Sequence, residues 1–446
     1  MAVGRSVRLL CVLGVIAVSL SSGTVSGQRA PALATQRDHP AIQYATRPPT
    51  DRIAALARRM ASGDVKLAFN RDHGYLAAIL EALGIPVASQ VVVFSETSVQ
   101  AELITPKNPR ALFFDDGVAV GWVRGAETLE LAAHDPQQGV IFYTLDQRQS
   151  VTPRLVRQTS CLTCHLSQNT QNVPGMLTFT TQSIPQDKYS YASGFQTDHR
   201  TPIPERWGGW FVTGQAGGLH LGNTEVPQSL RPPTGAALRP RALDSLKGVI
   251  DLRGFPSEHS DVVALMMLEH QATMTNLLTR VGWEARIAEY KPTGVRPSTS
   301  LGAGPSTPLG PGRAPDALND AVVELVDYLL FVDEAPLPAG MRGSSGFATA
   351  FSARGQRDAK GRSLRDLDLQ SRLLKYPCSY MVYSPAFEAL PDKAKTVVYD
   401  RMWRVLSGQV TGEPYTRLSL ADRRAIVEIL RATRPGLPAF FTDTIK

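Results

Sequence analysis

The segment Ala111–Val123 reads Ala-Leu-Phe-Phe-Asp-Asp-Gly-Val-Ala-Val-Gly-Trp-Val, and it decides the fold class. Its two apolar runs are rich in aromatic and β-branched residues, which favour strands, and Asp115-Asp116-Gly117 between them is typical of a tight turn. Three similar short runs lie around it, at Val91–Phe94, Thr128–Ala133 and Val140–Leu145. We therefore predict an antiparallel β meander in this part of the chain.

A motif of two cysteines and a histidine follows the meander, Cys161-Leu162-Thr163-Cys164-His165. It has the pattern of a c-type haem attachment site, in which two thiols form thioether bonds to the porphyrin and the histidine gives the iron an axial nitrogen. A zinc site would need further ligands, and the chain has no second Cys-x-x-Cys pair. A redox dithiol would be expected in a thioredoxin-like βαβ context, which the predicted elements lack. The motif predicts one covalent haem c on Cys161 and Cys164, with His165 as an axial iron ligand.

Helical spacing dominates the rest of the chain. Thr152 and Pro153 suit the start of a short helix that would run from Arg154 into the motif. Further helices are predicted at Asp51–Met60, Tyr75–Leu83, about Ser260–Tyr290, Leu318–Phe331, Asp392–Ser407 and after a cap at Ser419. The predicted fold class is α+β, in which a β-rich meander leads into a haem-bearing helix and a mainly α-helical C-terminal region follows.

Composition divides the chain into six segments. Arg5 and Arg8 precede an apolar run, Leu9–Leu20, and small polar residues follow it, which predicts a secretory signal peptide at 1–27. The other predicted segments are an N-terminal helical segment at 28–88, a β-rich segment with the haem c motif at 89–250, a long helix packing on the haem module at 251–291, a Pro/Gly-rich linker at 292–315 and a C-terminal helical region at 316–446.

Charge and cysteine content narrow the function classes. The formal charge of +7 falls to +5 without Arg5 and Arg8, an excess that suits an encounter with an acidic redox partner or an anionic membrane surface, although charges scattered over a solvated surface are its commoner explanation. Basic residues form no dense or aromatic-interleaved run, so no nucleic-acid partner is predicted. No apolar stretch after the signal is long enough to predict a transmembrane segment in the mature chain. Of the four cysteines, Cys11 lies in the predicted signal and Cys378 is predicted to be a small buried hydrophobe.

At the motif the chain resembles bacterial single-haem c-type cytochromes. The segments Ala111–Gln147, Arg206–Gly214 and Gly361–Tyr380 also look like a larger family of exported cytochrome-like proteins with one Cys-x-x-Cys-His motif, and this similarity covers most of the predicted mature chain. The resemblance implies one haem c, a periplasmic or otherwise exported location, and one-electron transfer with a periplasmic redox partner protein. It implies no substrate. The motif lies mid-chain behind a β-rich segment, unlike that of small class I cytochromes.

A second axial ligand would separate an electron carrier from a catalyst, because an open iron face admits small molecules. Met266, His270 and Met274 recur on one face of the long predicted helix. A helix face that packs in the core, with a histidine that is hydrogen-bonded locally, explains the same three residues and is the commoner cause of such a pattern. We predict His270 as the distal iron ligand, with His220 in a glycine-rich loop as the alternative; Met176 lies close after the motif and is a third candidate.

The alternative function is a haem-dependent peroxidase-like or oxygenase-like enzyme with an open distal face and a small-molecule substrate. Asp198-His199-Arg200 motivates it, because such an enzyme needs a base for a proton and a cation for developing charge. In that reading His199 and Arg200 would be catalytic, with Arg206 as an alternative source of the cation. A solvated polar loop accounts for the same three residues.

Overall fold

The computed structural model describes residues 36–95, 98–181, 194–216, 223, 241–291, 316–337, 340–443 and 445. The predicted signal at 1–27, the predicted linker at 292–315 and the candidate ligand His220 lie outside these residues. The described strands are β1 Val91–Val93, β2 Arg110–Phe114, β3 Val118–Val123, β4 Thr128–Asp135, β5 Gly139–Asp146, β6 Leu155–Arg157, β7 Phe179–Thr180, β8 Phe195–Gln196 and β9 Trp210–Phe211. The described helices are α1 Arg52–Ala61, α2 Leu76–Leu83, α3 Leu162–His165, α4 Val262–Glu289, α5 Asp316–Leu329, α6 Phe347–Ala353, α7 Pro385–Glu388, α8 Asp392–Leu406 and α9 Leu420–Thr433.

The predicted α+β class and the predicted meander are confirmed. Within the described residues, seven strands form one antiparallel sheet in the order β6-β5-β4-β3-β2-β1-β9. Asp115 stabilises the tight turn that lets β2 and β3 pair. Its Oδ1 accepts hydrogen bonds from the backbone nitrogens of Gly117 and Val118, both at 3.0 Å. The strand β9 comes from beyond the motif and pairs with β1, which the sequence did not predict.

The helix predicted to begin at Arg154 is wrong. Residues Leu155–Arg157 form β6 at the edge of the sheet, with Arg157 opposite Tyr143 on β5. Pairing with β5 satisfies the backbone groups of both segments and outweighs the local helix signal of Thr152 and Pro153. The helical turn that carries the motif begins only at Leu162.

The two faces of the sheet have different partners. One face carries large buried side chains such as Phe113, Val120 and Ile141, which pack with residues of α1 and α2 in one core cluster. The other face carries the cross-strand neighbours Ala119, Ala132 and Phe142. Helix α4 and the motif-bearing segment lie on this second side, where Ala119 and Ala132 share a small cavity with Leu268 of α4.

Helix α4 is the central element of the larger core, and α5 to α8 pack around it. It begins at Asp261, whose Oδ1 accepts from the backbone nitrogens of Val263 and Ala264. Almost every side chain from Val262 to Ala285 is buried, including Glu269, His270 and Asn276. Polar groups in such a position must find partners inside the protein. None of the helices in the described residues has a stretch long and apolar enough to cross a membrane.

Candidate functional site

The Cys-x-x-Cys-His motif folds as the helical turn α3. The carbonyl oxygen of Cys161 accepts from the backbone nitrogen of His165 at 3.0 Å, and the buried side chain of Leu162 anchors the turn in the core. Cys161 is half-buried, Cys164 is exposed, and both are free thiols. Residues three apart on a helical turn lie on the same side, so both thiols are accessible from one direction.

The imidazole of His165 is held from two sides. Its Nδ1 lies 2.9 Å from the carbonyl oxygen of Gly175, and its ring packs on Phe142 with the centroids 4.7 Å apart. Because a carbonyl only accepts, Nδ1 carries the proton and Nε2 keeps a lone pair. Within the described residues, Nε2 of His165 has no hydrogen-bond partner. Burial lowers the pKa of His165, which keeps the ring neutral and able to bind a metal.

The loop after the motif returns to His165 and is fastened to α4. The backbone nitrogen of Gly175 donates to the carbonyl oxygen of His165 at 3.0 Å, so these two residues are joined by two hydrogen bonds. Asn276 of α4 accepts from the backbone nitrogen of Met176 and donates to its carbonyl oxygen, both at 2.8 Å. A Cβ at position 175 would clash with Asn276 Oδ1, so glycine is required for this approach.

An ion pair lies near the motif on the sheet. Arg110 Nη2 and Glu130 Oε2 are 2.5 Å apart, and the guanidinium of Arg110 passes over β3 at Gly121, where a Cβ would clash with it. Burial is the main cause of the lowered pKa of His165, and beyond it Arg110 lowers and Glu130 raises that pKa. The same two charges act on Cys161. Within the described residues, Arg110 Nε is buried without a hydrogen-bond partner.

These features fit a covalently attached haem. The site offers two accessible thiols and a neutral imidazole with an unshared Nε2 lone pair. Phe142 of the neighbouring sheet face contacts His165, whereas Ala119 and Ala132 beside it are covered by α4. No group of three or more His, Cys, Asp and Glu side chains that could hold a metal ion occurs in the described part of the chain.

His270, the predicted distal ligand, lies in the interior of the larger core. Its Nδ1 is 2.8 Å from Nδ1 of His199, and its Nε2 is 2.7 Å from Oγ of Ser379. The ring also stacks on Tyr328 and Phe331. Both ring nitrogens therefore have protein partners, and iron ligation would require His270 to give one up. Burial lowers the pKa of His270 to about 3, so the ring is neutral.

His199 and Arg200, the candidate catalytic residues of the alternative, lie beside His270. His199 is 1% exposed, and its ring is stacked between neighbours that include Tyr328 at a centroid distance of 4.0 Å. Its Nε2 is buried without a hydrogen-bond partner in the part of the chain that the structure describes. Arg200 pairs with Asp198 at 2.7 Å and lies over the ring of Tyr328. His270, the predicted distal ligand, therefore lies in one cluster with His199 and Arg200, the catalytic candidates of the alternative function. The contacts of His165, by contrast, are with Gly175 and Phe142.

A buried ion pair borders this histidine cluster. Arg206 and Glu269 are almost fully buried, with Nη1 and Oε2 3.3 Å apart. Arg206 Nη2 also donates to the carbonyl oxygen of His199 at 2.8 Å, and Thr197 Oγ1 donates to Glu269 Oε1. Burial raises the pKa of Glu269 to about 7, against the opposing effect of Arg206. These contacts join the loop at Thr197–Arg206 to α4.

Sequence reasoning missed Gly175 and Asn276, the residues that orient His165. Pro174-Gly175 shortly after the motif marks a loop, and Asn276 is a polar residue in a helix whose neighbours are apolar. Neither pattern shows that the two residues meet. Comparison with protein-family models, with curated proteins and with solved structures found no match.

Proposed function

We propose that this protein is an exported monohaem c-type cytochrome that binds one haem c and transfers one electron at a time. The observation that carries the proposal is the motif turn itself, with free thiols at Cys161 and Cys164 and with His165 kept neutral by burial and oriented by its bond to Gly175. A bound haem would supply an iron centre that changes oxidation state by one electron.

The residues of the site would each contribute differently to holding a haem. Cys161 and Cys164 would hold the haem through two thioether bonds. His165 would offer Nε2 to the iron, and the bond from its Nδ1 to Gly175 fixes the direction of the ring. The exposure of Cys164 leaves this edge of the site accessible to a redox partner.

Export and partner belong to the same proposal. The signal predicted at 1–27 would direct the chain to the periplasm, where a redox partner protein would exchange electrons with it. The distal ligand stays a prediction, with His270 requiring rearrangement of its hydrogen bonds and His220 outside the described residues. The alternative of a peroxidase-like or oxygenase-like enzyme has less support, since His199 is stacked in the core and Arg200 is paired with Asp198.

The test is expression in a host that exports proteins and attaches haem c, followed by extraction with acidified acetone. Covalent haem should stay with the protein, and the Cys161→Ala/Cys164→Ala variant should lose its colour to the solvent. The Cys378→Ala variant is the matched control, because it removes a cysteine outside the motif and should keep the haem. Complete extraction of colour from the wild-type protein would show that the proposal is wrong. Cyanide added to the ferric protein then tests for an open iron face, since binding would favour the enzyme alternative.

A further inference from the structure

Asn276 is the side chain of α4 that is hydrogen-bonded to the loop after the Cys-x-x-Cys-His motif. It is fully buried, and it makes hydrogen bonds with both backbone groups of Met176, each 2.8 Å long. The backbone nitrogen of Met176 belongs to the same planar peptide unit as the carbonyl of Gly175. The bond from that nitrogen to Asn276 Oδ1 therefore fixes the plane that carries the acceptor for His165 Nδ1.

The same bond changes the strength of the acceptor. Hydrogen bonds in a chain polarise one another, so a peptide that donates to Asn276 has a carbonyl oxygen that accepts more strongly. That oxygen is 2.9 Å from His165 Nδ1. A stronger acceptor at Nδ1 favours the tautomer in which Nδ1 is protonated, and it makes Nε2 a better electron-pair donor.

We propose that Asn276 is a positioning residue for the axial ligand. Acting through the Gly175–Met176 peptide unit, it holds His165 in the tautomer that leaves Nε2 for iron and raises the donor strength of that nitrogen. The effect on iron rests on the proposed function. The tautomer, by contrast, is a property of the chain without its cofactor and can be measured there.

The first experiment is nitrogen NMR of the His165 ring in full-length protein without haem. Wild-type protein should show Nδ1 protonated, and Asn276→Ala should shift the tautomer ratio about fivefold towards protonated Nε2, the change expected from weakening one hydrogen bond. Asn276→Leu fills the same space without polar atoms and should give the same shift if the alanine variant does not fold. Asn276→Asp keeps an acceptor for the Met176 nitrogen and should retain the wild-type tautomer.

Asn223 provides a matched control elsewhere in the fold. Its Oδ1 accepts from the backbone nitrogen of Val212 at 2.9 Å and its Nδ2 donates to that residue's carbonyl oxygen at 2.6 Å, so it makes the same pair of bonds as Asn276. Asn223→Ala should lower stability by a similar amount and leave the His165 tautomer unchanged. An equal shift in the Asn223→Ala variant, or none in either Asn276→Ala or Asn276→Leu, would overturn the proposal.

The second experiment measures the reduction potential of haem-loaded protein. A weaker donor at Nε2 stabilises ferric iron less, so Asn276→Ala should raise the potential and shift the equilibrium about two- to fivefold towards the ferrous form. Asn223→Ala should have the wild-type potential. An unchanged potential in Asn276→Ala would contradict the effect on iron. If the wild-type protein takes up no haem at all, the proposed function fails, while the NMR result still decides the role of Asn276.

Discussion

Replacing His270 with alanine distinguishes two possible roles of this histidine, as a residue of the protein core and as a ligand of the haem iron. The change removes the hydrogen-bond partner of His199 Nδ1 and one partner of Ser379 Oγ, and both atoms stay buried. Each buried polar group left unsatisfied costs about 1–3 kcal/mol, and the lost ring leaves a cavity against Tyr328 and Phe331. We expect His270→Ala to lower the free energy of unfolding by about 3–5 kcal/mol.

The assay is urea unfolding of the haem-loaded protein, together with its ferric absorption spectrum. Two further variants provide comparisons for this loss in the free energy of unfolding. Ser379→Ala should cost about 1–3 kcal/mol, because it removes the partner of His270 Nε2 and also the acceptor of the backbone nitrogen of Met381. His259→Ala, at a partly exposed histidine with one bond to the carbonyl oxygen of Asp244, should change the free energy of unfolding by less than about 0.5 kcal/mol.

The spectrum decides the outcome. If His270 acts only in the core, His270→Ala should keep the spin state of the wild-type ferric iron. A variant that unfolds like the wild type, and whose iron changes from low to high spin and binds cyanide, would contradict a purely structural role and identify His270 as the distal ligand. In that case the hydrogen bonds to His199 and Ser379 are exchanged when haem binds.

Three further predictions follow from buried groups. Arg206→Met should cost about 3–5 kcal/mol because it leaves the Glu269 carboxylate buried without its cation, and Arg206→Met/Glu269→Leu should recover part of that loss in the same unfolding assay. Burial lowers the pKa of His270 to about 3, against an unfolded value near 6.5, so its contribution to stability is fully present above pH 6.5 and is lost as pH falls towards 3. His270 alone should contribute a slope of about 1.4 kcal/mol per pH unit to that of the whole protein, to which the buried His134 and His199 add, and His270→Asn should reduce the total slope by about that amount; an identical slope in the variant would contradict this origin. Burial also raises the pKa of Cys378, so iodoacetamide should leave this thiol unmodified in the folded protein and alkylate it in urea, as mass spectrometry would show.

Local patterns predicted most of the elements correctly. The turn at Asp115-Asp116-Gly117 lies where the sequence places it because the Asp115 side chain bonds to nitrogens two and three residues further on. The caps at Asp51 and Ser419 are equally local, and α1 and α9 begin directly after them. Cys378 is buried as predicted. The helix predicted from Arg154 was wrong because Leu155–Arg157 is determined by a non-local contact. These residues form β6 through pairing with β5 and not through their own local preferences.

The donor atoms of the motif can be read directly from its residues, because the spacing of Cys161, Cys164 and His165 is a property of one helical turn. The surroundings of that turn depend on contacts between distant segments. Asn276 meets Met176 across 100 residues of chain, and His270 meets His199 across 71 and Ser379 across 109. Periodicity and capping act over a few residues, whereas buried polar groups take partners from whichever segments the fold brings together. The orientation of His165 and the partners of His270 therefore became visible only in the folded chain.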